Sequence, residues 1–259
     1  IKPNLGLYYD RPPLDIPERG LTACHNVRIT AGKLHNQAMG WDKFTQNQLN
    51  GPVTLIDNFI KRDGAQYLIF GTLTDLYIYG EINDSVVFIT PRYETGTVSV
   101  NNGSTTVTGA GTSWDTELKG GDYMQFGAAG QNDPYAEWHR IKSVESATSL
   151  TLEEPYSGSN LSGVDYTARK CFTAANAQEY WRAETFPKAA TVDDDLWFAT
   201  NGVDPVIYWD GSSDQVTITN FDFRCYELLR YKNMMVYANL TTSGGDARPA
   251  VACPPHSRR

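Results

Sequence analysis

QYLIFGTLTDLYIYGEINDSVVFIT, residues 66–90, and DDLWFATNGVDPVIYWDGSSDQVTITN, residues 194–220, present the same order of short runs. In the first copy the runs are AQYLIFG (65–71), DLYIYG (75–80) and SVVFIT (85–90), separated by Thr-Asp, Gly and Asn-Asp turns. In the second they are DDLWFATNG (194–202), PVIYWDG (205–211) and QVTITN (215–220). Aromatic and β-branched runs of this length between turn residues read as strands. A third copy begins at YKNMMVYANL (231–240), and Leu196 to Met235 is 39 residues. That matches the ~40–50 residues of one four-stranded propeller blade. The expected fold is all-β, a partial or complete set of β-propeller-like blades.

Leu68 to Leu196 is 128 residues, too long for one blade, so a module is inserted. Its texture runs through GTVSV, STTVTGAGTSW, GGDYMQFG, WHRIKSVES, SLTLEEPYSG and VDYTARK. Five or six short strands with glycine turns suggest a small β-barrel or sandwich. Asn102-Gly103 between two alternating runs predicts a hairpin, because both turn positions tolerate positive φ. The expected organisation is an extended N-terminal arm (1–20), blades over 21–90 and 171–243, the insert at 91–170 and an irregular tail (244–259). NVRITAGKLHNQAMGWDKF (26–44) reads as two strands joined at Ala31-Gly32, and AANAQEYWRAE (174–184) as a short helix or a loop.

The chain carries 22 basic and 30 acidic residues in 259, a net charge of −8. Such a surface repels nucleic acid, which excludes a DNA gripper but not a wall that DNA slides past. No run approaches the ~20 apolar residues of a membrane helix, so no membrane insertion is expected. The opening residues lack the pattern of a signal peptide. Cys24, Cys171, Cys225 and Cys253 are far apart without a C-x-x-C, so they read as buried thiols rather than zinc or redox sites.

Chemistry-bearing patterns are weak. Gly109-Ala110-Gly111 is followed by hydroxyls, yet no Lys-Ser/Thr pair closes the loop and the strand pattern resumes within a few residues, so it reads as a turn. Asp193-Asp194-Asp195 reads as a solvated turn, because adjacent strand residues point to opposite faces. His25, His35, His139 and His256 have no metal-ligand spacing, and no nucleophile elbow occurs. No catalytic residue, metal site or cofactor is expected. Trp114 and Trp138 are the core or contact residues expected of the insert, with Trp138-His139-Arg140 in an alternating strand. Tyr77, Tyr79, Tyr208 and Trp209 recur in the repeat, and space between neighbouring blades is their expected place.

The opening NLGLYYDRPPLDIPERGLTACHNVRITAGKLHNQAMGWDKF resembles the tail hub or nozzle proteins of short-tailed bacteriophages, also called packaged-DNA stabilisation or tail tubular proteins. The resemblance rests on Gly6-Leu7, Pro12-Pro13-Leu14, Asn26-Val27-Arg28, Gly32-Lys33-Leu34 and Gly40-Trp41, and on the blade pair LYIYGE and VIYWDG. The insert is similar to a small β module of several phage tail and fibre proteins. The likeness covers roughly residues 4 to 240. It implies a virion protein assembled in the host bacterial cytoplasm, a homo-oligomeric ring below the connector that holds packaged DNA and channels it on ejection. Connector or adaptor subunits and other tail proteins are the implied partners, with double-stranded DNA passing loosely. Tyr8, Tyr9, Pro12, Trp41, Tyr208 and Trp209 are the interface candidates. Family members are usually longer. Open blade edges here imply either covering subunits or a shortened product, and the Pro- and Arg-containing end after Gly245 reads as a truncation or a changed reading frame. A glycan-binding tail adhesin is the alternative, and a propeller glycosidase using acids such as Asp194 and Glu154 a third reading.

Overall fold

The computed structural model describes residues 27–30, 33–36, 48–80, 85–127, 130–174, 179–187, 195–232, 234–242 and 247–248. Residues 1–46 form one compact unit and 47–259 another. Within the first, β1 (Val27–Thr30) and β2 (Lys33–Asn36) make a two-stranded antiparallel pair. It is a sheet of its own, not a strand pair of the first blade.

The first blade is an antiparallel meander of β3 (Leu55–Ile60), β4 (Gln66–Gly71), β5 (Leu76–Gly80) and β6 (Ser85–Phe88). The insert follows with β7 (Arg92–Tyr93), β8 (Thr97–Val100), β9 (Thr106–Ala110), the single turn α1 (Trp114–Glu117), β10 (Tyr123–Phe126), β11 (His139–Ser146), β12 (Ser149–Leu152), β13 (Leu161–Val164) and β14 (Tyr166–Arg169). The second blade is β15 (Arg182–Pro187), β16 (Asp195–Thr200), β17 (Ile207–Trp209) and β18 (Thr217–Ile218), again a meander. The third sheet is β19 (Phe223–Tyr231), β20 (Met234–Thr242) and β21 (Ala247–Arg248). The fold is all-β, built of blade-like sheets, and no closed barrel occurs among the described residues.

The pairing register sharpens the repeat. Leu68↔Tyr79, Ile69↔Ile78 and Phe70↔Tyr77 in the first blade correspond to Trp197↔Trp209, Phe198↔Tyr208 and Ala199↔Ile207 in the second. Leu68 therefore matches Trp197, not Leu196. The one-residue difference matters, because a slip of one turns every side chain to the other face. With this register the blades stack in one sense. Leu55, Phe59, Tyr67, Ile69, Leu76 and Ile78 form the front of the first blade, packed on Trp197, Ala199, Ile207 and Trp209 at the back of the second. The front of the second (Phe186, Phe198, Val206) packs on the third sheet through Cys225, Leu228, Met235, Tyr237 and Leu240. The first strands β3, β15 and β19 run beside one another, as strands nearest a propeller axis do.

The insert sheet has the order β13-β8-β9-β12-β11-β10-β14-β7. β13 and β14 are separated by Asp165 alone, yet they pair with β8 and β10 towards opposite ends of the sheet. The chain itself is the seam that curls this sheet around its core of Val98, Val107, Trp114, Met124, Leu150 and Tyr166. At the β8–β9 hairpin the Ser104 N–H donates to Asn101 O (3.0 Å), and of the two central residues only Gly103 takes positive φ, +76°. The expected hairpin is present, with a type II arrangement at its turn.

Other expectations are corrected. Arg182–Pro187 within and beyond the 174–184 stretch is a strand, because pairing from Arg182↔Thr200 to Pro187↔Asp195 completes the blade. The tail is not irregular throughout, since Ala247 and Arg248 pair with Thr241 and Leu240. Asp195 is no solvated turn. Its buried carboxylate accepts from the Arg62 N–H (2.7 Å) and Arg62 Nε (2.7 Å) across the blade boundary. Beside it the Trp197 Nε1–H donates to Asp57 Oδ2 (2.8 Å), which satisfies the one polar group of a buried indole.

Replacing Asp195 by Ala removes the two carboxylate oxygens that meet Arg62, which sits half-exposed and gains water in their place. The expected loss is roughly 2–3 kcal/mol, the value of charge-assisted hydrogen bonds to a buried carboxylate. Urea unfolding should show a lowered midpoint with an unchanged slope.

Candidate functional site

The glycine loop opens no cradle. Gly111 bends the chain at φ +73°, and Thr112 Oγ1 donates to Ala147 O (2.6 Å). A Cβ at Gly109 would lie 2.8 Å from Trp114 Cη2, so that glycine lets the indole close under the strand. Trp114 is fully buried, its Nε1–H donates to Tyr166 Oη (3.0 Å), and that hydroxyl donates to Thr95 O (2.8 Å). The space a phosphate would need is filled with tryptophan.

Trp138 lies just before β11, outside the strand, and is half-buried. Its Nε1–H donates to Asp133 O (2.9 Å), and its ring meets Phe88 of the first blade edge-on at 5.8 Å. It thus packs against the blade cluster of Phe70, Tyr77, Val86 and Phe88. Between insert and blade sits the buried guanidinium of Arg169, at the end of β14. Its Cζ is 4.0 Å from the Phe88 ring, 4.6 Å from Tyr123 and 4.9 Å from Trp138. Its Nε is 3.0 Å from Oδ1 of Asp75, which is itself fully buried. Asn50 Nδ2 (3.1 Å) and Thr74 Oγ1 (2.8 Å) donate to the other oxygen of Asp75.

Arg169 begins the short segment that returns the chain from the insert to the second blade, and three buried carboxylates hold it. Asp75 comes from the first blade. Asp122 comes from the insert and accepts from the Cys171 N–H (2.8 Å) and Lys119 N–H (2.9 Å). Asp204 comes from the second blade and accepts from the Thr173 N–H (2.7 Å), Thr173 Oγ1 (2.5 Å) and Asn201 Nδ2 (2.8 Å). The Phe172 N–H adds a bond to Thr74 O (2.9 Å). Asp75 and Asp204 occupy matching places, each in the loop after the second strand of its blade. Burial pushes the Asp122 carboxyl up to about 6, against the pull of the two N–H donors and of Lys119 and Lys170. Burial and the neighbouring Asp75 also push the Cys171 thiol up, which leaves it inert. A cavity of about 240 Å³ lies beside the segment, lined by Glu117, Lys119, Asp122, Lys170, Asp204 and Ile218 among others. Lys170 Nζ donates to Glu117 Oε2 (2.8 Å) there, so its charge is already met. Among the described residues no group of His, Cys, Asp and Glu could hold a metal ion. No described helix is long and apolar enough to cross a membrane.

The remaining sequence candidates divide. Trp209 is buried between the first two blades, 5.0 Å from Tyr67 and 6.0 Å from Phe59, and its surface is not free for another chain. Tyr208 is half-buried against Phe198 at 5.8 Å. Tyr8, Tyr9, Pro12 and Trp41 lie outside the described residues, as do Asp193, Asp194, Cys24 and Cys253. Cys171 and Cys225 are buried free thiols. Arg169 and Asp75 were not singled out from the sequence, in which Asp122 after Gly120-Gly121 and Asp204 before Pro205 read only as turn residues. A readable signal existed for two of them, the recurrence of aspartate at one place in the repeat.

No protein-family model matches the chain, and no curated protein matches it. Among solved structures it is similar to the phage phi92 endosialidase, at 15% identity over 68% of this chain and 31% of that one, with a TM-score of 0.21. The chain spans less than one third of that protein. At this score neither the fold nor the activity of the endosialidase carries over.

Arg169→Met leaves the Asp75 carboxylate buried without its cation, and the expected loss is about 3–5 kcal/mol. Adding Asp75→Asn should restore part of it, so the double variant unfolds at higher urea than the two single losses predict. Asp122 gives a pH signature. Its folded pKa lies above the ordinary value of 3.8, so the folded chain takes up the proton first. The stability this contributes is complete below about pH 4 and lost as pH rises through about 6. Against Asp122→Asn, the wild type should therefore gain stability between pH 6 and 4. Parallel curves for the two proteins would contradict it.

Proposed function

We propose that the chain is a structural subunit of a bacteriophage tail or neck, of the tail hub or nozzle type. It assembles into a homo-oligomeric ring below the connector, retains packaged DNA and channels it during ejection. The observation that carries this reading is the front-to-back stack of blades, which among the described residues leaves Ile56, Ile60, Leu229 and Tyr231 exposed, while the polar clusters inside are spent on holding modules together. Such a body is a building block that presents surfaces to neighbours. The net charge of −8 suits a wall along which DNA slides without sticking. Connector or adaptor subunits and other tail proteins are the partners, the site of action is the virion tail, and assembly takes place in the host bacterial cytoplasm.

The glycan-binding alternative draws less support. Trp114 is sealed in the insert core and cannot stack on a sugar, which leaves half-buried Trp138 as the aromatic of that reading.

A tagged chain incorporated into purified phage particles and decorated with gold should place the label at the tail, next to the connector, in electron micrographs. Particles free of the chain would overturn the reading, and label confined to a distal fibre tip would favour the adhesin.

A further inference from the structure

Three Asn-Gly pairs stand in the chain: Asn50-Gly51, Asn102-Gly103 and Asn201-Gly202. This dipeptide carries a reaction of its own. The glycine N attacks the asparagine Cγ. The N–Cγ bond forms, the Cγ–Nδ2 bond breaks, and the side-chain amide leaves as ammonia with the proton of the glycine N–H. Water then opens the five-membered imide at either carbonyl and leaves aspartate or isoaspartate. Glycine is the favoured neighbour because it has no Cβ to shield its N. Whether a given pair reacts depends on how easily the two groups reach the attacking geometry.

Two of the pairs are tied down at both reacting groups. Asn102 Nδ2 donates to Ser157 O (3.1 Å) and Gly158 O (2.8 Å), and the Gly103 N–H donates to Tyr156 O (2.7 Å). Asn201 is fully buried. Its Nδ2 donates to Asp204 Oδ2 (2.8 Å), and its Oδ1 accepts from the N–H groups of Val203 (3.1 Å) and Asp204 (2.8 Å). The Gly202 N–H donates to Thr200 Oγ1 (3.2 Å). Attack at either pair breaks several hydrogen bonds at once. Asn50-Gly51 differs. The Gly51 N–H has no hydrogen-bond partner among the described residues, and both residues are exposed. Among the described residues the Asn50 side chain makes one bond, from Nδ2 to Asp75 Oδ2 (3.1 Å). That acceptor belongs to the buried carboxylate that pairs with Arg169.

We infer that Asn50 is a modification site: the folded chain loses the Asn50 amide before the other two, and the product loosens the Arg169–Asp75 junction. Conversion replaces an N–H donor by a carboxylate oxygen facing Asp75. Two carboxylates then share one guanidinium, and like charges this close oppose each other. The isoaspartate product also routes the main chain through the former side chain and lengthens it by one carbon. That extra atom falls between the Asn50 N–H, which donates to Tyr77 Oη (3.2 Å), and the first strand of the blade. Leu49, packed in the cluster of Phe70, Tyr77 and Phe88, is the neighbour that such a shift disturbs. The reaction is internal to two adjacent residues and consumes only water, so it stands apart from the assembly proposed above.

The full-length chain is incubated in mildly alkaline buffer, folded and in parallel unfolded in urea, then digested. Fragmentation mass spectrometry reads the fractions of asparagine, aspartate and isoaspartate at positions 50, 102 and 201. In the folded chain position 50 should convert about tenfold faster than the other two, or more, the ratio that a barrier difference of about 1.4 kcal/mol produces. In urea the three rates should draw together, because only the fold separates them. Conversion at 102 or 201 as fast as at 50 in the folded chain overturns the assignment. So does an Asn50 that reacts in urea but stays intact in the folded chain. The consequence is read separately by urea unfolding. Asn50→Ala removes the donor, and Asn50→Asp removes it and adds a charge, so the midpoint should fall from wild type to Ala to Asp. An Asn50→Asp midpoint at or above that of Asn50→Ala overturns the effect on the junction. If Asn50→Asp does not fold, wild type aged after folding gives the same reading: the midpoint should fall as the converted fraction grows, and a midpoint that holds overturns it.

Discussion

Arg169 is a full charge placed where the insert meets the first blade, and the arrangement around it follows from the cost of putting it there. A buried cation is tolerable only when paired and surrounded by groups that replace water. Asp75 supplies the opposite charge, and the faces of Phe88, Tyr123 and Trp138 supply their ring quadrupoles. Those partners come from the first blade, the insert and the loop before β11. The charge can therefore be satisfied only when blade and insert are both folded and docked. The same reasoning extends along the return segment, where Asp122 and Asp204 take up the backbone N–H groups of Cys171 and Thr173. A segment without strand partners of its own is held by side-chain carboxylates instead of a ladder.

With the insert anchored, the blades can be stacked as if it were absent. The front of the first blade meets the back of the second through Phe59, Tyr67, Trp197 and Trp209, and Val216 N–H donates to Ile89 O (2.8 Å) at the outer edge. Arg92 at the root of the insert pairs with Asp214 on the second blade. An insertion in the connection between outer and inner strands disturbs neither packed face, which is why a module this large is accommodated there. Loops at that place are on the surface, where length costs little.

The strands of the blades were largely legible, because period-two runs of aromatic and β-branched residues between turn residues admit few other readings. AQYLIFG, DLYIYG and their second copies appear as β4, β5, β16 and β17. The first strand of each blade was harder to see. RAETFP carries two charges and a proline, and becomes a strand because β16 offers it an unpaired edge. Within the Asp193–Asp195 run, Asp195 looked like a solvated residue because its charge was counted without Arg62, which meets it. Trp138 was read as part of an alternating strand, when it belongs to a loop that caps the blade.

The sequence by itself determined that the chain is all-β, that its blades repeat, and that a foreign β module interrupts them. These follow from local periodicity and turn chemistry, which need no knowledge of distant contacts. Which face of each strand looks forward, which carboxylate meets which cation, and which aromatic is spent inside rather than offered to a neighbour were decided only by the tertiary structure. A one-residue change of register leaves the sequence pattern almost intact and exchanges every buried side chain for an exposed one. Pairings such as Asp195 with Arg62 and Arg169 with Asp75 join residues 133 and 94 positions apart, and only packing brings them together.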